Sequence, residues 1–142
     1  GLVDDVYRAG LDGLAARDAE DILAEVRRSG FELCIDGLSS FGGRKPRALV
    51  ALLGPSPAMM ELQAEHERLM QRVGLEPEGR KYTPHVTLAR LKSAPRGAVM
   101  DYLTDHALYA SGPFAVTAFG LYSSKLTSDG SLYRIEREYA LQ

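Results

Sequence analysis

Apolar and polar residues alternate along this chain with two different periods, and the switches between them outline a mixed succession of helices and strands. Across residues 12–28 the sequence is rich in alanine and charge, and Leu11, Ala15, Ala19, Leu23 and Val26 recur near one face at helical spacing. That spacing predicts an amphipathic helix, broken by Ser29-Gly30. From Phe31 the period becomes two: Phe31, Leu33 and Ile35 alternate with Glu32, Cys34 and Asp36, as in a half-buried strand. Residues 39–47 (Ser-Ser-Phe-Gly-Gly-Arg-Lys-Pro-Arg) read as a loop, the most basic in the chain, and the continuous apolar run 48–53 reads as the next strand.

The following helix carries its own start and stop signals. Ser56 can cap it, Pro57 suits its first turn, Met59, Leu62, Leu69, Met70 and Val73 form its apolar stripe, and Gly74 ends it. Beyond a Pro/Gly loop, residues 82–91 read as a strand. On it His85 and Thr87 share one face, while Val86 and Leu88 share the other and anchor the strand from behind. A short helix over 97–106 and two strands near 114–122 and 132–139, joined through 125–130, complete the order. Helices and strands are interspersed without a repeating unit, which predicts an α+β fold; with no internal repeat and no low-complexity linker, 1–142 is expected to be one domain.

Composition narrows the function classes. With 142 residues, 45% hydrophobic and 25% charged, the chain can bury one sizeable core. A net charge of −2 argues against a protein that grips nucleic acid over a long backbone footprint, while leaving room for a local basic pocket. The single cysteine, Cys34, cannot close an internal disulfide, so a reducing cytoplasm is the expected compartment. No Cys/His cluster has metal-ligand spacing, and no metal or other cofactor is expected. The longest apolar run is too short to cross a bilayer, so no membrane partner is expected either.

The chemistry concentrates at His85. Pro84 has no backbone donor and suits a strand start or a sheet edge, and it keeps Thr83 out of the helical region. Histidine followed two residues later by a hydroxyl, both on one sheet face, can present a proton donor or acceptor and a hydrogen-bond donor to a single phosphate oxygen. His-x-Thr alone is a weak signal, because solvated strand faces often carry both residues. Parity puts Arg90 opposite His85 unless the strand bulges. Phe41 can stack on a base, and Arg44, Lys45 and Arg47 can meet phosphates, though polar loops and packed aromatics are common without any such duty.

The run Lys81-Tyr82-Thr83-Pro84-His85-Val86-Thr87-Leu88-Ala89-Arg90 resembles the second His-x-Thr signature of the two-histidine phosphoesterases, in particular the RNA 2′,3′-cyclic phosphodiesterase (2′-5′ RNA ligase-like) branch. Phe31-Glu32-Leu33, Ser40-Phe41-Gly42 and Pro46-Arg47 upstream, and Leu121-Tyr122-Ser123-Ser124 and Leu132-Tyr133 downstream, resemble its other segments in the same order. The resemblance implies a bilobed fold of antiparallel sheets flanked by helices, with two His-x-Thr strands facing one phosphate. It implies hydrolysis of RNA 2′,3′-cyclic phosphate ends to 2′-phosphates without a metal, one histidine acting as base and the other as acid, and 2′-5′ ligation in the reverse sense. His85 and Thr87 are then the catalytic pair, and Arg90, Phe41, Tyr82 and Arg47 the substrate contacts. The implied partner is RNA with a 2′,3′-cyclic phosphate end, tRNA fragments included, and the implied state is a monomer.

One part of the pattern is missing. The histidines are His66, His85 and His106, and none precedes the first helix, where the first His-x-Thr belongs. The expectation is that this motif lies upstream of Gly1 in a longer protein; the other register puts Leu2-Val3-Asp4 in its place. His66 lies by the apolar stripe of its helix and His106 near a helix C-terminus, where an imidazolium is favoured by the helix dipole, so both are expected to be structural. Two other expectations stand beside RNA-end hydrolysis: a non-catalytic RNA-end or nucleotide-binding module on the same fold, and an esterase of cyclic nucleotides or ADP-ribose cyclic phosphates, since a fold does not fix its substrate.

Overall fold

The computed structural model describes residues 13–77, 79 and 81–142, which form three helices and six strands. Leu2-Val3-Asp4, Leu11 and Asp12 lie outside the described residues. The elements are α1 (Gly13–Leu23), β1 (Phe31–Phe41), β2 (Ala48–Leu53), α2 (Pro57–Arg72), β3 (His85–Arg90), α3 (Arg96–His106), β4 (Ala110–Val116), β5 (Ala118–Thr127) and β6 (Gly130–Ala140). This is the mixed α+β order that the periodicities predict. None of the described helices is long and apolar enough to cross a membrane.

The chain divides into two compact units. The first takes in Glu32–Ser56 and the described residues of 80–114. Its four-stranded sheet has the order β3-β2-β1-β4. β2 is central and reads as a continuous apolar run because both its faces are covered: Ala48, Val50, Ala51 and Leu53 are all buried. Leu33 and Val99 add to this core, while Glu32, Cys34 and Asp36 alternate outward along β1.

Two irregularities shape the sheet. In the antiparallel β1–β2 pair the register runs from Ile35↔Leu53 to Leu38↔Ala51, so Asp36 and Gly37 together face Leu52. Gly37 takes φ +95°, which a residue with a Cβ rarely adopts. In the antiparallel β2–β3 pair the register runs Leu52↔His85, Ala51↔Val86, Val50↔Thr87, then slips to Leu49↔Ala89 and Ala48↔Arg90, which makes Leu88 the extra residue. Such bulges bend a strand and increase its twist.

The second unit holds α1, α2 and the β5–β6 hairpin. α1 packs on α2, burying Ala19 and Leu23 of α1 and Met59, Leu62, Leu69 and Met70 of α2. Truncating one of these leucines to alanine would cost about 2–5 kcal/mol. α2 ends in a Schellman arrangement: the Leu75 N–H donates to Met70 O at 3.1 Å, the Gly74 N–H donates to Gln71 O at 3.0 Å, and Gly74 has φ +99°. Tyr139 ties α1 to the hairpin, its hydroxyl donating to Glu20 O at 2.6 Å. Its ring stacks on Phe119 at 4.8 Å, and Arg137 lies 4.9 Å over it. Burial pushes its pKa above the usual value, with the Arg137 guanidinium pulling the other way.

The first helix ends at Leu23 rather than reaching residue 28, and β3 spans His85–Arg90 rather than 82–91. Three further boundaries and one side chain differ from the sequence reading through pairing. Residues 39–41 continue β1 because β2 supplies a ladder partner for each of them, which confines the turn to 42–47. The predicted strand over 114–122 is two strands in different sheets, parted at Thr117. The link 125–130 is mostly paired: Thr127↔Gly130 closes a hairpin with Ser128 and Asp129 at its tip. Leu88 does not anchor β3 from behind; at the bulge it is 52% exposed.

Candidate active site

β3 is an edge strand, and Pro84, which has no N–H to offer a ladder, stands immediately before it. The Pro84 carbonyl still accepts from the Leu53 N–H at 3.2 Å, so the strand entry is tied to β2. His85 is half-buried at this entry, and its Nδ1 lies 2.7 Å from Thr83 O. A carbonyl oxygen only accepts, so Nδ1 carries the proton. Nε2 is thereby the nitrogen left for chemistry: a lone pair in the neutral ring, a donor in the imidazolium.

The register decides which side chains stand with it. Directly opposed residues share a sheet face, and alternate residues of β2 share one too. Leu52, Val50 and Ala48 therefore carry His85, Thr87 and Arg90 on one face of the sheet. Strict alternation would turn Arg90 away from His85; the extra residue at Leu88 brings it back. The same reasoning across β1 adds Phe41, paired with Ala48, and Ser39, paired with Val50.

Phe41 and His85 touch, their ring centroids 4.8 Å apart and their planes at 81°. On a flat sheet the four-residue offset between Ala48 and Leu52 would separate them by about 13 Å along the strands. The contact therefore needs a curled sheet, and bulges of the kind found in β1 and β3 bend and twist strands. Between Thr83 O on one ring nitrogen and the Phe41 ring, the imidazole is held in one orientation.

The remaining predicted residues lie at the margins. Arg47 directly precedes β2; its N–H donates to Phe41 O at 2.7 Å and its carbonyl accepts from the Leu91 N–H at 2.8 Å, which places it beside the end of β3. Tyr82 lies three positions before His85 with its hydroxyl oxygen buried, so it is set apart from the Arg90 end of the site. Sequence reading passes over Ser39, because treating 39–47 as loop hides its alternation with Phe41. Among the described residues no group of three or more His, Cys, Asp or Glu is arranged to hold a metal.

The other two histidines have different surroundings. His66 on α2 packs against Phe119 at 4.5 Å, and its Nε2 is buried with no hydrogen-bond partner among the described residues. Burial, with Arg28 adding in the same direction and Glu65 opposing, lowers its pKa to about 4. His106 lies in the last turn of α3 against Tyr102, with ring centroids 4.4 Å apart.

Comparison with known proteins identifies the family and the fold. Residues 53–133 match the family model described as LigT like Phosphoesterase. A protein of Aeropyrum pernix named RNA 2′,3′-cyclic phosphodiesterase is 30% identical over 122 residues, 84% of this chain and 69% of that protein. One of the same name from Aquifex aeolicus is 31% identical over 114 residues, 78% of this chain and 61% of that protein. Among solved structures, E. coli LigT complexed with 3′-AMP superposes with a TM-score of 0.71 at 20% identity, over 96% of this chain and 74% of that one. A Thermus thermophilus structure gives 0.73 at 20% identity, over 94% and 73%. The His85 strand lies inside the matched segment, and the chain belongs to the LigT-like phosphoesterase family, the RNA 2′,3′-cyclic phosphodiesterase branch of the two-histidine phosphoesterases.

Proposed function

We propose that His85 and Thr87 act on the terminal phosphate of RNA that ends in a 2′,3′-cyclic phosphate, opening the ring to leave a 2′-phosphate. Water attacks phosphorus, the bond to O3′ breaks, and the O3′ that departs takes up a proton. His85 Nε2 serves one of these transfers: neutral, it takes the proton of water; charged, it gives one to O3′. The Thr87 hydroxyl and the Arg90 guanidinium hold the non-bridging oxygens, the charged donor counting for more. Phe41 offers a ring to the terminal base, and Arg47 and Tyr82 complete the substrate contacts. The same groups can join a 2′,3′-cyclic phosphate end to a 5′-hydroxyl, which takes the place of water. Its oxygen bonds phosphorus as the bond to O3′ breaks, its proton is taken up and O3′ is protonated, leaving a 2′-5′ bond. No step in this scheme is assigned to a metal. A reducing cytoplasm suits the unpaired, exposed thiol of Cys34.

The observation that carries this reading is the shared face of His85, Thr87 and Arg90, which exists because Leu88 is an extra residue in β3. The names of the archaeal and bacterial relatives support the substrate class.

A second reading has its own support. The sequence holds one His-x-Thr, and an enzyme of this kind uses two proton-transfer groups. Losing one costs on the order of 10²–10⁴-fold in rate. On that ground this chain by itself would act as an RNA-end-binding module with part of the catalytic set. The test is turnover of a short RNA with a 2′,3′-cyclic phosphate end in EDTA, alongside His85→Ala. A 2′-phosphate product that depends on His85 supports the enzyme; His85-dependent binding of that product without turnover supports the module; neither turnover nor binding overturns both.

A further inference from the structure

We propose that the β1–β2 turn and the end of β3 form a cationic track that holds the phosphodiester backbone of a single RNA strand of several nucleotides, leading it to the His85 site. The proposal rests on the phosphate-end reading above and goes beyond it. It makes the substrate an oligonucleotide rather than a mononucleotide, and it assigns roles to Arg44, Lys45 and Lys92.

The charge distribution is the first observation. Residues 37–60 and 81–100 together carry seven lysines and arginines and no aspartate or glutamate, in a chain whose net charge is −2. The acidic excess is therefore confined to the rest of the chain. Pairing then gathers five of the seven cations at one end of the sheet. Ala48↔Arg90 and the Leu91 N–H to Arg47 O bond set the end of β3 beside the start of β2, and Lys92 follows directly. Arg44 and Lys45 project from the turn that joins β1 to β2.

That turn is built tightly. The Lys45 N–H donates to Gly42 O at 3.2 Å, and Gly42 has φ +109°. A Cβ at Gly42 would stand 2.5 Å from Lys45 O and 2.8 Å from Arg47 N, so only glycine closes it. Arg44, Lys45, Arg47, Arg90 and Lys92 are all exposed, and no ion pair among the described residues engages Arg44, Lys45, Arg47 or Lys92. A row of solvated cations without carboxylates suits a polyanion.

Continuity with the site selects which polyanion. Phe41 belongs to both: its carbonyl accepts the Arg47 N–H at the foot of the turn, and its ring meets His85 at 4.8 Å. An aromatic between a phosphate-handling group and a line of cations is the arrangement that binds single-stranded nucleic acid, with bases on the ring and phosphates on the cations. The net negative charge argues against a long footprint over the whole protein, and a track of five cations is correspondingly short.

The test measures binding of adenosine 2′-monophosphate and of a hexanucleotide RNA ending in a 2′-phosphate, by fluorescence anisotropy or calorimetry over a salt series. The hexanucleotide should bind about 10-fold or more tighter at low salt, with a salt slope of roughly 0.7 per phosphate neutralised. The double variant Arg44→Glu/Lys45→Glu should lose about 10-fold in RNA affinity and lower that slope by about 1–1.5, with mononucleotide binding unchanged. Lys92→Glu, on a separate element, should act in the same direction, which distinguishes lost charge from a damaged turn. RNA affinity that does not rise with length, that the variants leave intact, or that a polyglutamate peptide competes away as well as RNA does, overturns the track and leaves the phosphate-end reading standing. If the mononucleotide itself fails to bind in a His85-dependent way, that reading falls and the track with it.

Discussion

His85 and His66 both lie against an aromatic ring, yet the two regions give the imidazole opposite surroundings. At the edge of the four-stranded sheet, His85 has one nitrogen engaged by Thr83 O and the other left for chemistry, with Thr87 and Arg90 on the same face. Inside the helix-and-hairpin unit, His66 faces Phe119 with Nε2 shut away from solvent and unpartnered among the described residues, and its pKa is about 4. An aromatic neighbour alone therefore marks nothing. What separates the histidine proposed as reactive from the packed one is that a polar group fixes one nitrogen of His85, while Nε2 of His66 is buried.

The comparison can be broken at several points. Removing His85 (His85→Ala) should have the largest effect, a loss of roughly 10²–10⁴-fold in cyclic-phosphate hydrolysis with an unchanged melting temperature; His66→Phe should leave the rate intact. An unchanged rate in His85→Ala would dissolve the contrast. His66 should appear instead in stability against pH. Its folded pKa is depressed, so the unfolded chain binds the extra proton first, and the stability present above about pH 6.5 is lost as pH falls toward about 4. At roughly 1.4 kcal/mol per unit the limit is about 3 kcal/mol, and thermal melts of His66→Phe should lose this part of the acid sensitivity.

A smaller effect sharpens the account of the sheet. Arg90→Ala should weaken binding of a 2′-phosphate end by about 10-fold, the scale of one charge-assisted hydrogen bond. Deleting Leu88 removes the bulge but leaves Arg90 four positions from His85 in strict alternation, still opposite Ala48 on the same face, so it should cost less of this affinity than Arg90→Ala, with stability followed separately by melting. The smallest effect belongs to the other unit: Tyr139→Phe removes the bond to Glu20 O and should cost about 1 kcal/mol with no change in phosphate-end affinity.

Much of this was legible in the residues because the signals were local. Ser56, Pro57 and Gly74 mark α2 through capping chemistry, and the apolar run 48–53 marks a doubly covered strand. What escaped depends on partners. Nothing between Thr87 and Ala89 announces a bulge, since a bulge is a relation between two strands, and so the side of β3 from which Arg90 projects could not be read. The place of Phe41 on the His85 face was hidden for the same reason, although the residue itself was singled out: serines and glycines read as loop until β2 supplies a ladder. The change of sheet at Thr117 has no glycine or proline to announce it. The motif itself was readable, but its neighbours on the face were not.

The most direct test of the central claim is a histidine-ring NMR titration with a ribonucleotide 2′-phosphate, following the ring nitrogens of His85 and His66 together. The account predicts that His85 Nε2 shifts and saturates while its Nδ1–H keeps the signature of a hydrogen bond, and that His66 does not move. A still His85, or a response at His66 in its place, would contradict it.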